Sequence, residues 1–387
     1  AGLEYIRSNQ ELCQKGLYVE LGAYHCRVYL NFRQVVDGEQ GLYGRLAWEL
    51  QGHGVPSMDE ALREMVLQPV LNPFRELINP GMLGWLIQNR VDSETYDPAN
   101  YRMALEEVER KSVALLEALQ IELEKTRAVE AVGIEPIEET AAEAGKVSEL
   151  VKETPQRIPQ GTVESIAQQI RRSVEAVLSI ASLSAERAGQ PKEAQQAVKY
   201  LLDGPNEISS LRSGTSLTWS VLLSSLVVSP LGRLTGQERA VERSRNWLDE
   251  WLFAKQIAAV LGEMGADKSA LARELAILRF LVGQQDWLDP QAEAELLARR
   301  LLQTWLKDDN ARRCLLVHPY EGVEWFNKEA FEELVWWNFI WLTVRLRSDG
   351  VEGKQLENAL RLGYRVVQSL LKAEQQSGYQ VEKLLAL

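Results

Sequence analysis

A chain of 387 residues, 45% of them hydrophobic, holds enough apolar material for two or three domains. Its formal net charge of -12 argues against nucleic-acid backbones, whose generic binding rests on Lys and Arg contacts, and against a polybasic membrane anchor. Three scattered cysteines (Cys13, Cys26, Cys314) and three histidines (His25, His53, His318), with no CxxC, leave no basis for a zinc site or a disulfide framework; the thiols read as small apolar residues in a reducing, cytoplasmic compartment.

The first patterned segment is residues 16–37. Leu17, Val19 and Leu21 alternate with Tyr18 and Glu20, and after Gly22 the series Tyr24, Cys26, Val28, Leu30 and Phe32 alternates with polar or aromatic neighbours. A period of two over two runs predicts an N-terminal β-hairpin. A lone hairpin is marginal in water, so this one needs more sheet. The sequence starts at Ala1 without an initiator Met, and the missing strands are expected upstream.

After a glycine-rich connector over 38–56 the pattern turns helical. Ser57 and Glu60 form a capping box ahead of a helix at 58–68, and a second helix over 73–89 is broken near Asn79-Pro80-Gly81. Asp97-Pro98 opens a helix to about residue 128, with Leu105, Val108, Leu115, Leu119 and Leu123 on one side, a seam for a second helix. Residues 129–160 are rich in Glu and Pro and lack aromatics, the composition of an acidic flexible linker. Further helices are predicted near 162–188, 191–202, 215–228, 236–264, 268–285, 290–307, 328–347 and 353–376. Thr235 with Glu238, and Asp289 with Pro290, read as helix starts. The closest approach to a membrane span, Leu217 to Leu231, carries four serines and a Pro. The helix at 328–347 is apolar all round, with Asn327 as its N-cap and Phe326 and Phe331 as a hydrophobic staple, which marks it as a buried central helix.

The resulting fold class is mainly α: an N-terminal β-hairpin, the remnant of a β-sandwich, followed by a multi-helix domain. The divisions fall at 1–37 (hairpin), 38–128 (connector and first helical group), 129–160 (linker) and 161–387 (helical bundle).

Chemistry-bearing motifs are sparse. The chain has no GxGxxG after a strand, no GxxxxGK[ST], no GxSxG and no HExxH, so no cofactor, metal or catalytic residue is assigned. What remains is a set of acids beside aromatics. Tyr320, Trp325, Glu329, Glu332, Glu333 and Trp336 are candidate ligand-binding residues, since carboxylates next to tryptophans suit a sugar. The plainer reading is that acids in a first helical turn complement the helix dipole and that tryptophans at helical spacing, such as Trp247 and Trp251, fill core. Cys314 follows Arg312 and Arg313, which would lower its pKa, although a buried structural thiol is the plainer reading here too.

The run Leu17-Tyr18-Val19-Glu20-Leu21-Gly22-Ala23-Tyr24, continued by Arg27-Val28-Tyr29-Leu30-Asn31-Phe32-Arg33, resembles the last strands of the β-sandwich that closes α-amylase-family glycosidases. Gly52 to Leu62 and Asn72 to Asn79 are similar to the tail of large bacterial α-amylase-like proteins, which carry a helical extension after the sandwich. The resemblance covers about residues 10–90. It implies that catalysis sits in an upstream (β/α)8 barrel with an Asp nucleophile, a Glu acid/base and a second Asp, none of which has a counterpart here. The expectation is therefore a non-catalytic C-terminal accessory region of a glycosidase or glucanotransferase acting on α-glucans. Its partners would be the upstream sandwich and barrel, and an α-glucan. Two other readings stand beside it: a stand-alone helical interaction or scaffold module, and a helical enzyme using the acids near 321–333.

Overall fold

The structure is a computed structural model that describes residues 2–26, 28–38, 41–131, 161–187, 191–206, 210–212 and 215–386. The chain divides into two compact units, Ala1–Leu71 and Asn72–Leu387. Most of the linker expected at 129–160 lies outside the described residues.

The first unit is built around one antiparallel bridge and a small core. Glu4 and Val55 exchange backbone hydrogen bonds at 2.7 and 2.9 Å. Helices α1 (Asn9–Lys15), α2 (Leu42–Leu50) and the start of α3 (Met58–Leu77) make up its regular structure. Leu46, Met58 and Met65 are buried, with Ile6, Leu42, Val55 and Leu62 packed on them. Asp37 starts α2: its carboxylate accepts from the backbone N–H of Tyr43 at 3.0 Å and of Gly44 at 2.7 Å.

The predicted N-terminal hairpin is not there. The described residues of 16–37 form no strand. Tyr24 and Asn31 take positive φ values of 63° and 57°, which interrupts an extended chain in two places. The physical reason is that two short runs without further strands do not bury enough apolar surface to hold a ladder. The side chains that a sheet would have covered are exposed, among them Leu30 (77%), Phe32 (78%) and Val36 (83%).

Ser57 caps α3 as expected, accepting from Glu60 N–H at 3.3 Å. The helix does not stop at residue 68, however. It runs through Pro69 and Pro73 to Leu77, although each proline removes a backbone donor. Burial overrides the local signal: Val70, Leu71 and Phe74 are fully buried, and Phe74 stacks on Phe253 at 4.3 Å.

Among its described residues the second unit is helical with one small hairpin. From α4 (Pro80–Gln88) the chain passes to the long α5 (Pro98–Ala131), whose start Asp97 caps through the N–H groups of Ala99 and Asn100. The seam residues Leu105, Val108, Leu115, Leu119 and Leu123 are all buried, and the partner helix is α6 (Thr162–Leu178). Next come a 3₁₀ segment Ile180–Arg187, α7 (Lys192–Asp203), α8 (Ser216–Val228) and a second 3₁₀ segment Leu231–Thr235. Residues 219–228 of α8 are buried without exception, so its apolarity is met by the surrounding core.

The single helix expected over 236–264 is two, α9 (Ala240–Glu250) and α10 (Phe253–Glu263), divided where Leu252 turns to a φ of 56°. Thr235 does not cap; its hydroxyl donates to the Gly232 carbonyl instead. After α11 (Lys268–Val282), Asp289 holds only a turn through Gln291 N–H, and α12 (Ala294–Trp305) begins later than expected. Then follow α13 (Asp309–Cys314) and the hairpin of β1 (His318–Tyr320) and β2 (Val323–Trp325). Its pairing sets His318 opposite Trp325 and Tyr320 opposite Val323, and Glu321 and Gly322 both take positive φ at the turn. The chain closes with α14 (Lys328–Ser348), α15 (Gly353–Ser377) and α16 (Val381–Ala386).

Helix α14 is the axis of this unit. Asn327 accepts from Ala330 N–H at 2.8 Å, and Phe326 and Phe331 meet at 5.3 Å, so cap and staple both form. Every residue from Leu334 to Val344 is buried. Helices α6, α7, α11, α13 and α15 pack around it. Gly363 lets α15 approach closely, since a Cβ there would stand 2.7 Å from Leu342 Cδ2.

Candidate functional site

The six residues singled out from the sequence belong to the hairpin and the first turns of α14, yet they do not converge. Tyr320 lies exposed on β1 and Glu329 is exposed on α14. Trp325 is half-buried and its backbone bridges to Gln380. Trp336 is buried, and its indole N–H donates to the Leu201 carbonyl at 3.0 Å. Glu332 and Glu333 point to different neighbours. Glu332 is 3.7 Å from Lys328, while Glu333 pairs with Arg273 and accepts from Trp337 Nε1 at 3.4 Å.

Each of these two acids faces a buried carboxylate from another helix. Glu274 on α11 is 6% exposed, and burial, reinforced by Glu333, pushes its carboxyl up to about 7 against the pull of Arg273. Glu374 on α15 is fully buried, and neither of its oxygens has a hydrogen-bond partner among the described residues. Burial, with Glu332 and Glu329 adding to it, pushes its carboxyl up to about 7, opposed by Lys328. Near Glu332 the Tyr200 hydroxyl is also buried without a described partner, and burial raises its pKa. Desolvation of this kind favours the protonated, neutral form of each group.

The thiols differ from the expectation in part. Cys13 is exposed on α1, a helix that buries none of its residues, and Cys26 is exposed because its segment forms no sheet. Cys314 is half-buried, and burial pushes its thiol up to about 12 despite the adjacent arginines; Glu333 and Asp308 act in the same direction. Trp247 and Trp251 are buried against one another at 6.1 Å, as packing residues.

A concavity lies elsewhere. A groove of about 1550 Å³ runs between the connector at 285–293, the C-terminal half of α14 and the length of α15. Trp287, Leu288, Leu342, Leu346, Val351 and Leu362 supply its apolar surface. Polar groups flank it. Arg345 pairs with Asp286 at 3.2 Å, and Arg361 and Arg365 both reach Glu193, at 2.8 and 2.7 Å. Hydrogen bonds from Arg365 first, and from Arg361, hold the Glu193 carboxyl below its usual range. Arg345 Nε and Trp287 Nε1 are buried donors with no acceptor among the described residues. Sequence reading missed this groove because its residues come from four segments, Glu193 among them. The one legible sign was the α15 face Gln355, Asn358, Leu362, Arg365, Ser369 and Lys372, spaced at three and four residues and mixed in polarity where a core-facing stripe would be apolar.

No family model, curated protein or solved structure matches the chain.

Proposed function

We propose that this chain is a non-catalytic accessory region of an α-amylase-like glycosidase or glucanotransferase, with the barrel that cleaves or transfers α-glucosidic bonds lying upstream. The observation that carries the reading is the state of residues 17–36. They alternate with a strand's period, resemble the closing strands of the family's β-sandwich, and expose Val28 (76%), Leu30 (77%) and Phe32 (78%). Exposed apolar residues in an alternating run of this kind are covered when the run pairs with further strands. In this reading the segment completes the sandwich of the preceding domain and the helices are appended to it. The acids and tryptophans near 321–336 support a non-catalytic role, because their ion pairs and burial account for most of them.

Hydrogen exchange tests this directly. The amides of 17–36 should exchange freely in the isolated chain and become protected when it is joined to the polypeptide encoded immediately upstream. Exchange that stays open in the joined protein would remove the basis of the proposal. Separately, the isolated chain should leave maltooligosaccharides intact; turnover would show that catalysis resides here.

A further inference from the structure

The groove along α15 has features that point to what it holds. At about 1550 Å³ it exceeds the roughly 300–1,000 Å³ of small-molecule pockets. It is also long: the lining residues of α15 run from Gln355 to Lys372, and at about 1.5 Å per residue that is about 26 Å of helix. Its apolar lining is chiefly aliphatic (Leu288, Leu346, Val351, Leu362) and interleaved with polar side chains, with Trp287 half-buried beside it, whereas a sugar needs exposed aromatic platforms and Trp341 is only 3% exposed.

Charge is uneven around the groove. The α15 side presents Arg361, Arg365 and Lys372, the connector side Asp286, Glu293 and Glu295, and the α14 end one of each sign, Arg345 and Asp349. On the α15 side Glu193 pairs with Arg361 and Arg365, and Glu295 also acts on Arg365, so the three cations Arg361, Arg365 and Lys372 meet two carboxylates and the excess there is cationic. Trp and Arg are the residue types that dominate binding energy when a partner covers them, and Trp287 and Arg345 both line the groove.

We infer that the groove receives an amphipathic α-helix of a partner protein, apolar on the face that meets the groove, acidic along the edge beside α15 and basic along the edge beside residues 286–295. Helix-in-groove recognition places anchors at i, i+3, i+4 and i+7, and a helix of about 17 residues matches the length of the lining. The inference does not depend on the role given to residues 17–36.

The test is a displayed library of roughly 18-residue helices with leucines fixed at that spacing and both edges randomised, selected on the full 387-residue chain. Selected helices should carry Asp or Glu on one edge and Lys or Arg on the other. They should bind R365E/K372E at least tenfold more weakly, with circular dichroism showing that variant folded. Changing the acidic edge of a selected helix to Lys should restore its binding to that variant. Three results would overturn the inference: no enrichment over the R365E/K372E chain, selected helices indifferent to the charge reversal, or displacement of the helices by maltoheptaose, which would make the groove a sugar site.

Discussion

Glu274 shows what a buried carboxylate does to this protein. Its pKa, raised from 4.5 to about 7, means that the folded chain keeps a proton which the unfolded chain has released between those values. Folding is therefore favoured by this group below about pH 4.5, and the contribution is lost as pH rises toward 7, at a cost of about 3 kcal/mol. Melting temperature should fall across that window, and Glu274→Gln should flatten the profile and raise stability at pH 8. A Glu274→Gln chain with an unchanged pH profile would show that the carboxyl titrates normally. Gly232 is a second sensitive point. A Cβ there would clash with the Ala240 carbonyl oxygen and stand 2.8 Å from Ser244 N, so Gly232→Ala should destabilise by about 3 kcal/mol or more, measurable by urea unfolding. Nothing in the sequence around either residue announces this, because the burial of Glu274 and the approach of Ala240 to Gly232 are set by other elements of the fold.

At the level of elements, the helices most legible in the sequence are those with both a period and a cap. Helix α14 has Asn327, its staple and an unbroken apolar run, and all three act as expected. Asn327→Ala should cost about 1 kcal/mol in chemical denaturation, since it frees the Ala330 N–H from its acceptor. Expectation and structure part where tertiary burial outweighs local chemistry. Pro69 and Pro73 would end α3 on local grounds, yet the burial of Val70, Leu71 and Phe74 carries the helix through both. Leu252 carries no breaker signal, yet its positive φ divides α9 from α10. The only ladder of paired strands among the described residues, 318–325, is too short for a period to register. Its mark in the sequence is the Glu321-Gly322 turn. The candidate site followed the same rule: a cluster local in sequence was easy to see, whereas a groove assembled from four segments was not.

For the molecule as a whole, the two units differ in the size of their cores. The first rests on Leu46, Met58 and Met65, while the second is organised around a helix buried on every side. Backbone amides of α2 should exchange hydrogen orders of magnitude faster than those of residues 334–344, because a small core limits the free energy of local opening. Similar rates in both would mean that the units unfold together.

The exposed run at 17–37 also sets how the protein behaves at high concentration. Its four charges, Glu20, Arg27, Arg33 and Asp37, are two of each sign and cancel, so repulsion between copies comes from the net charge of -12 carried by the whole chain. Salt weakens that repulsion, since the screening length shrinks from about 10 Å at 0.1 M to about 3 Å at 1 M. It leaves the attraction between exposed apolar side chains intact. The isolated chain should therefore be monodisperse in dilute buffer and associate as ionic strength rises. Light scattering across a salt series would register this colloidal signature, and a chain with Leu30→Ser and Phe32→Ser should lose it.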